Sequence, residues 1–75
     1  MTPRQPRISG KEIVGALNRG GFAFLYIEGS HHYFISPTGN LVTVPVHGKK
    51  ILKPKTLKSI LEQAGITIEQ LINLL

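Results

Sequence analysis

The sequence predicts an α+β fold of αβββα type, in which a three-stranded antiparallel sheet carries helices on one face and a short extra helix closes the C-terminus. Three observations predict it. A capped amphipathic stretch opens the chain, and three short runs of branched and aromatic residues follow, divided by Gly, Pro and Asn. A second amphipathic stretch then begins at a proline and ends at a glycine. Seventy-five residues suit one domain, since a chain this short buries only roughly 60% of the surface its unfolded form exposes. The absence of cysteine removes disulfides and thiolate zinc sites as staples, so apolar packing has to supply the stability.

Ser9 can cap the first helix, and Glu12 three residues later completes a capping box; Ile13, Val14 and Leu17 share one face of a helix over Gly10 to Asn18. Gly20 and Gly21 end it, because glycine accepts the left-handed backbone common at helix exits. Phe22 to Ile27 reads as the first strand and His31 to Ile35 as the second, with Glu28, Gly29 and Ser30 turning the chain between them. Pro37, Thr38, Gly39 and Asn40 provide the next turn, and Leu41 to Val44 forms the third strand. Pro45 has no amide hydrogen, so this strand ends there or lies at the sheet edge. After a lysine-bearing loop, Pro54 opens a helix with Leu57, Ile60, Leu61 and Ala64 at helical spacing, and Gly65 stops it. Thr67 and Gln70 repeat the capping-box pattern before Ile68, Leu71, Ile72 and Leu75, an apolar stripe on a short terminal helix. That stripe either closes the core or meets a partner, and a homo-oligomer formed through this helix is one form such contact could take.

Residues 1–8, with two prolines and two arginines, read as a flexible basic tail, and residues 9–75 as the single domain. Nine Lys and Arg against four Asp and Glu give a net charge of +5, which favours an anionic polymer or an acidic partner. The N-terminus lacks an apolar signal-peptide core, and no apolar run approaches the ~20 residues of a membrane span. A cytoplasmic location without membrane contact is the resulting expectation.

The stretch Gly29-Ser30-His31-His32-Tyr33-Phe34 carries the most chemical information. Neighbouring strand side chains point to opposite faces, so His31 and His32 cannot both enter the core, and at least one faces solvent or a ligand. Imidazole takes and gives protons near neutral pH without a metal. Cleavage of RNA by its own 2′-hydroxyl needs that transfer, together with positive donors on the phosphate. Lys49, Lys50, Lys53, Lys55 and Lys58 crowd the last loop and the start of the second helix, where helix amides also favour phosphate. A solvated lysine face and a hydrogen-bonded strand histidine are the plainer alternatives. His47 is expected to end the third strand near the lysines, either as a solvated imidazole or as a phosphate contact, while Ser30 either caps the turn or touches a phosphate. Three histidines could in principle ligate a metal, but adjacent strand residues diverge, and no metal or other cofactor is expected. No cysteine or exposed serine motif supports a nucleophilic triad.

Glycine, serine and histidine followed by an aromatic at Phe34, then Val44-Pro45-Val46-His47, Leu52-Lys53-Pro54-Lys55 and the helix end Ala64-Gly65, form a specific combination. It resembles the HicA toxins, a family also described as YcfA-like, nearly end to end. The resemblance implies a double-stranded-RNA-binding-like fold, endoribonuclease activity on messenger RNA, and a HicB antitoxin as partner in a type II toxin–antitoxin pair. By position it implies His31 as the catalytic histidine with His32 as the second candidate; Gly29 and Ser30 beside them are candidate RNA contacts. Many relatives carry a basic residue before the motif glycine, where this chain has Glu28. A non-catalytic RNA-binding module is the alternative function.

Overall fold

The computed structural model describes residues 7–75. Its elements run α1 (Gly10–Arg19), β1 (Ala23–Glu28), β2 (His31–Ile35), β3 (Leu41–Pro45), α2 (Pro54–Ala64) and α3 (Ile68–Leu74). The strands form one antiparallel sheet in the order β1-β2-β3, with α1 and α2 on one face and α3 packed on α1. This is the expected α+β arrangement with its additional C-terminal helix.

Both capping boxes are present. Ser9 Oγ accepts the Glu12 amide at 3.2 Å while Glu12 Oε1 accepts the Ser9 amide at 3.1 Å, and Thr67 and Gln70 repeat the exchange at α3. At its other end α1 runs one residue beyond the expected Asn18. Phe22 belongs to the helix exit rather than to β1: with Gly21 at φ 83°, the Phe22 amide donates to Leu17 O at 3.0 Å and is not free for a ladder. The Phe22 side chain is buried. Ile13, Ala16 and Leu17 from α1, Phe34 from β2, Val42 and Val44 from β3, and Leu57, Ile60 and Ala64 from α2 make the core. Leu71 of α3 joins it, whereas Ile72 and Leu75 of the same apolar stripe stay exposed.

Residues 1–6 of the expected basic tail lie outside the described residues. Arg7 is exposed, but Ile8 is buried and its carbonyl accepts the Leu52 amide at 2.8 Å, so packed chain begins no later than Ile8.

Register assigns the faces of the sheet. Phe24, Phe34 and Val42 share one row and Ile27, His32 and Val44 another, both on the side that the helices cover. Tyr26, Tyr33 and Thr43 form a row on the open side, where the two tyrosine rings stack with centroids 4.5 Å apart. A bulge between Phe24 and Tyr26 keeps β1 in step, and every residue of β1 is exposed while the helices pack most closely on β3. β3 forms the other edge. Its Thr43 amide points off the sheet and donates to Gln63 Oε1 at 2.8 Å, whereas the Val46 amide points inward to Ser30 O at 2.7 Å. By that alternation Pro45 occupies an outward position where an amide hydrogen would have no strand to meet, which explains how a proline ends an edge strand here without disturbing the ladder.

Candidate functional site

Two residues join β1 to β2. Gly29, at φ 60°, takes the first central position and Ser30 the second, the pattern of a tight hairpin in which only the first residue needs the left-handed region. This turn fixes where β2 starts. His31, its first residue, stands in a row with Glu28 and Pro45 on the open side of the sheet and is exposed. His32, one residue on, turns toward the helices beside Val44. It is half-buried, its ring centroid lies 6.5 Å from that of Phe24, and its Nδ1 is buried without a hydrogen-bond partner. Alternation thus separates the pair as the sequence required.

Beyond Pro45 the chain folds back over the Gly29–Ser30 turn. The Val46 amide holds Ser30 O, and His47 Nε2 lies 3.5 Å from Ser30 Oγ. His47, Gly48, Lys49 and Lys50 then make a turn in which the Lys50 amide donates to His47 O at 3.0 Å, with Gly48 at φ 57°. Pro45, His47, Lys50, Ile51, Leu52, Lys53 and Thr56 line a cleft of about 260 Å³ between this turn and the start of α2. Two long-range attachments hold its walls. Ser9 bridges Ile51 and Ile8 bonds Leu52, while α1 begins so close to the end of β3 that a Cβ on Gly10 would stand 2.1 Å from Pro45 O. The ends of β2, β3 and α1 therefore meet at one corner. It carries two accessible imidazoles, two lysines and a serine.

A family model described as the HicA toxin of bacterial toxin–antitoxin systems matches residues 10–66, most of the chain. This protein is a member of the HicA toxin family. A search of curated proteins returned no match. The segment matched in this HicA chain begins at Gly10, the glycine packed on Pro45, and includes the whole corner. The family is one of toxins from bacterial toxin–antitoxin systems.

Of the residues singled out in the HicA sequence, the corner gathers Gly29, Ser30, His31, His47, Lys50 and Lys53. Lys49 is exposed in the adjoining turn. Lys55 and Lys58 are exposed on α2 and share a helical face with Glu62, at i, i+3 and i+7. Thr56, Ser59 and Gln63 occupy a different face, the one beside β3: Gln63 holds Thr43, and Thr56 lines the cleft. Lys58 lies about 200° around the helix from Thr56 at 3.6 residues per turn. The five lysines are therefore not one patch. Sequence reasoning missed Thr56 and the apolar floor of Ile51 and Leu52; the signal for Thr56 was a hydroxyl in the first turn of a helix introduced by lysines. Among the described residues no group of three or more His, Asp or Glu is gathered as a metal site, and no helix is long and apolar enough to cross a membrane.

Proposed function

We propose that this HicA toxin is a metal-independent endoribonuclease that cuts messenger RNA at the corner where β2, β3 and α1 meet, beside the start of α2. One observation carries the reading: His31 is accessible on the open sheet face in the row of Pro45, which itself lines a cleft containing Lys50, Lys53 and His47. An imidazole and ammonium groups that can reach one phosphate are the set that 2′-hydroxyl attack requires. The ribose 2′ oxygen loses its proton and bonds to phosphorus, the bond from phosphorus to the 5′ oxygen breaks, and the departing oxygen gains a proton. A 2′,3′-cyclic phosphate and a 5′-hydroxyl result. His31 acts as acid or base in this transfer, and Lys50 and Lys53 hold the non-bridging oxygens as charge grows on them. Amides in the first turn of α2 and the exposed Lys49 extend the positive surface beside the cleft, while Lys55 and Lys58 on another face of α2 add to long-range attraction of RNA. His32 is the weaker candidate because its ring lies against Phe24 with Nδ1 sealed from solvent.

The partner in this reading is a HicB-type antitoxin whose segment covers His31 and neutralises the lysines, an acidic counterpart to a chain of net charge +5. Cytoplasmic RNA is the natural substrate for such a pair.

The test is cleavage of end-labelled single-stranded RNA by wild type, His31→Ala and His32→Ala, with chelator present throughout. Loss of His31 should slow cutting by ~10²- to 10⁴-fold, the span of one general acid or base, with RNA affinity and melting temperature retained. DNA should bind uncut. Full cutting by His31→Ala removes the assigned role, and RNA binding without any cyclic phosphate ends makes the protein a binding module instead.

A further inference from the structure

We infer that His47 is a second catalytic imidazole, forming an acid–base pair with His31 in the endoribonuclease reaction; the inference rests on the function proposed above and adds a proton-transfer residue to it. Position is the first ground. His31 pairs with Pro45, the last residue of β3, and His47 follows Pro45 by two residues, just beyond the end of the β2–β3 ladder. The hydrogen bond from the Val46 amide to Ser30 O continues the pairing one residue past Pro45. Diagonal neighbours in such pairing stand about 7–8 Å apart, somewhat less between Cβ atoms, a gap that a phosphodiester fits with one imidazole on either side. In-line displacement at phosphorus puts the attacking and departing oxygens on opposite sides, and each needs its own proton-transfer group.

Restraint is the second ground. His47 is exposed but not loose: its backbone carbonyl closes the turn to Lys50, the preceding Val46 amide is bonded to Ser30 O, and its Nε2 lies 3.5 Å from Ser30 Oγ. Ser30 immediately precedes His31. One short turn therefore fixes the relative placement of the two rings, through the backbone on one side and a hydroxyl on the other. The third ground is company, because His47 lines the same cleft as Lys50 and Lys53 and would meet the phosphate those lysines hold. A lone phosphate contact would need only the lysines; a ring carrying two exchangeable nitrogens beside them adds what they lack.

In balanced form, one imidazole accepts the 2′-hydroxyl proton as the 2′ oxygen bonds to phosphorus, and the other, already protonated, gives its proton to the 5′ oxygen as that bond breaks. The pair ends the step with its protonation exchanged, and water restores it.

The experiment measures cleavage rates against pH for wild type, His31→Ala and His47→Ala, first on ordinary RNA and then on RNA whose departing 5′ oxygen is replaced by sulfur at the mapped cleavage position. A thiolate leaves without protonation, so the variant lacking the acid regains rate while the variant lacking the base does not. The expected result is a bell-shaped profile for wild type, one limb lost in each variant, rates lowered ~10²-fold or more in both, and rescue by sulfur in one of them only. His47→Ala cutting ordinary RNA within about threefold of wild type overturns the inference while leaving His31 in place. So does a His47→Ala defect that keeps both limbs of the profile and is offset by higher RNA concentration, since that is the behaviour of a phosphate contact. Rescue in neither variant or in both also overturns it. Absence of cutting by wild type is distinguishable from all of these and takes the nuclease reading down with it. Both substitutions should leave the melting temperature near that of wild type, which exposure of the two side chains predicts.

Discussion

The two ends of the β2–β3 ladder are built from similar polar residues, yet they use them differently. At the hairpin end, Ser36 is buried; its amide donates to Asn40 O at 2.8 Å, its hydroxyl accepts the Asn40 amide at 2.8 Å, and the same hydroxyl meets Thr38 Oγ1 at 3.0 Å. Each polar group there is consumed by another, as a turn demands. At the opposite end the Ser30 hydroxyl, among the described residues, reaches only His47, at 3.5 Å, and His31, Lys50 and Lys53 stay turned to solvent. Polar groups that satisfy one another hold a fold together, whereas polar groups held in place but unsatisfied remain open to a ligand. In this HicA chain one strand pair connects the two conditions, so the rigidity of the first is delivered to the second.

That contrast can be broken by substitution. The largest effect on stability is expected from Ser36→Ala, which leaves the Asn40 amide without its acceptor and should cost ~1–3 kcal/mol, read by denaturant unfolding, with RNA cleavage per folded molecule unchanged. A fall in cleavage beyond the folded fraction would show that the hairpin end also serves the site. Next, removing Lys50 and Lys53 together should weaken RNA binding and reduce the dependence of log affinity on log salt by ~0.7 for each phosphate no longer neutralised. Removing Lys58, on the other face of α2, should leave the cleavage rate of bound RNA untouched. Equal kinetic effects from the two sets would erase the distinction between cleft and helix face. The smallest effect belongs to Ser30→Ala: stability should move by no more than ~0.5 kcal/mol, but cutting should slow roughly 2- to 12-fold, the range set by one ordinary hydrogen bond. An unaltered rate would mean that the contact with His47 does not orient the ring.

Much of the fold was legible in the sequence because local chemistry and tertiary packing agree. Ser9 with Glu12 and Thr67 with Gln70 announced helix starts that the structure uses, and β2 spans the same residues, His31–Ile35, in both. The first strand was less readable. Phe24, Leu25, Tyr26 and Ile27 are apolar without alternation, so nothing in them marks which residue is bulged or which face is covered. The site was legible in its composition but not in its assembly. Alternation guaranteed that His31 and His32 part, yet only pairing with Val44 on one side and Pro45 on the other fixes which ring stays outside. The cleft depends on contacts between residues far apart in the chain, Ser9 with Ile51 and Gly10 with Pro45, which no local pattern encodes. By contrast, the division of the lysines was readable from helical periodicity, since Lys55 and Lys58 recur with Glu62 rather than with Thr56.

The contact between Gly10 and the Pro45 carbonyl has a genetic consequence. Any missense change of that glycine codon adds a side chain where a Cβ would stand 2.1 Å from backbone oxygen, so α1 or the end of β3 has to give way. Bacteria selected for survival under forced expression of this toxin should therefore accumulate escape alleles at this position, disarming the protein by dislodging its scaffold while every other side chain is still encoded.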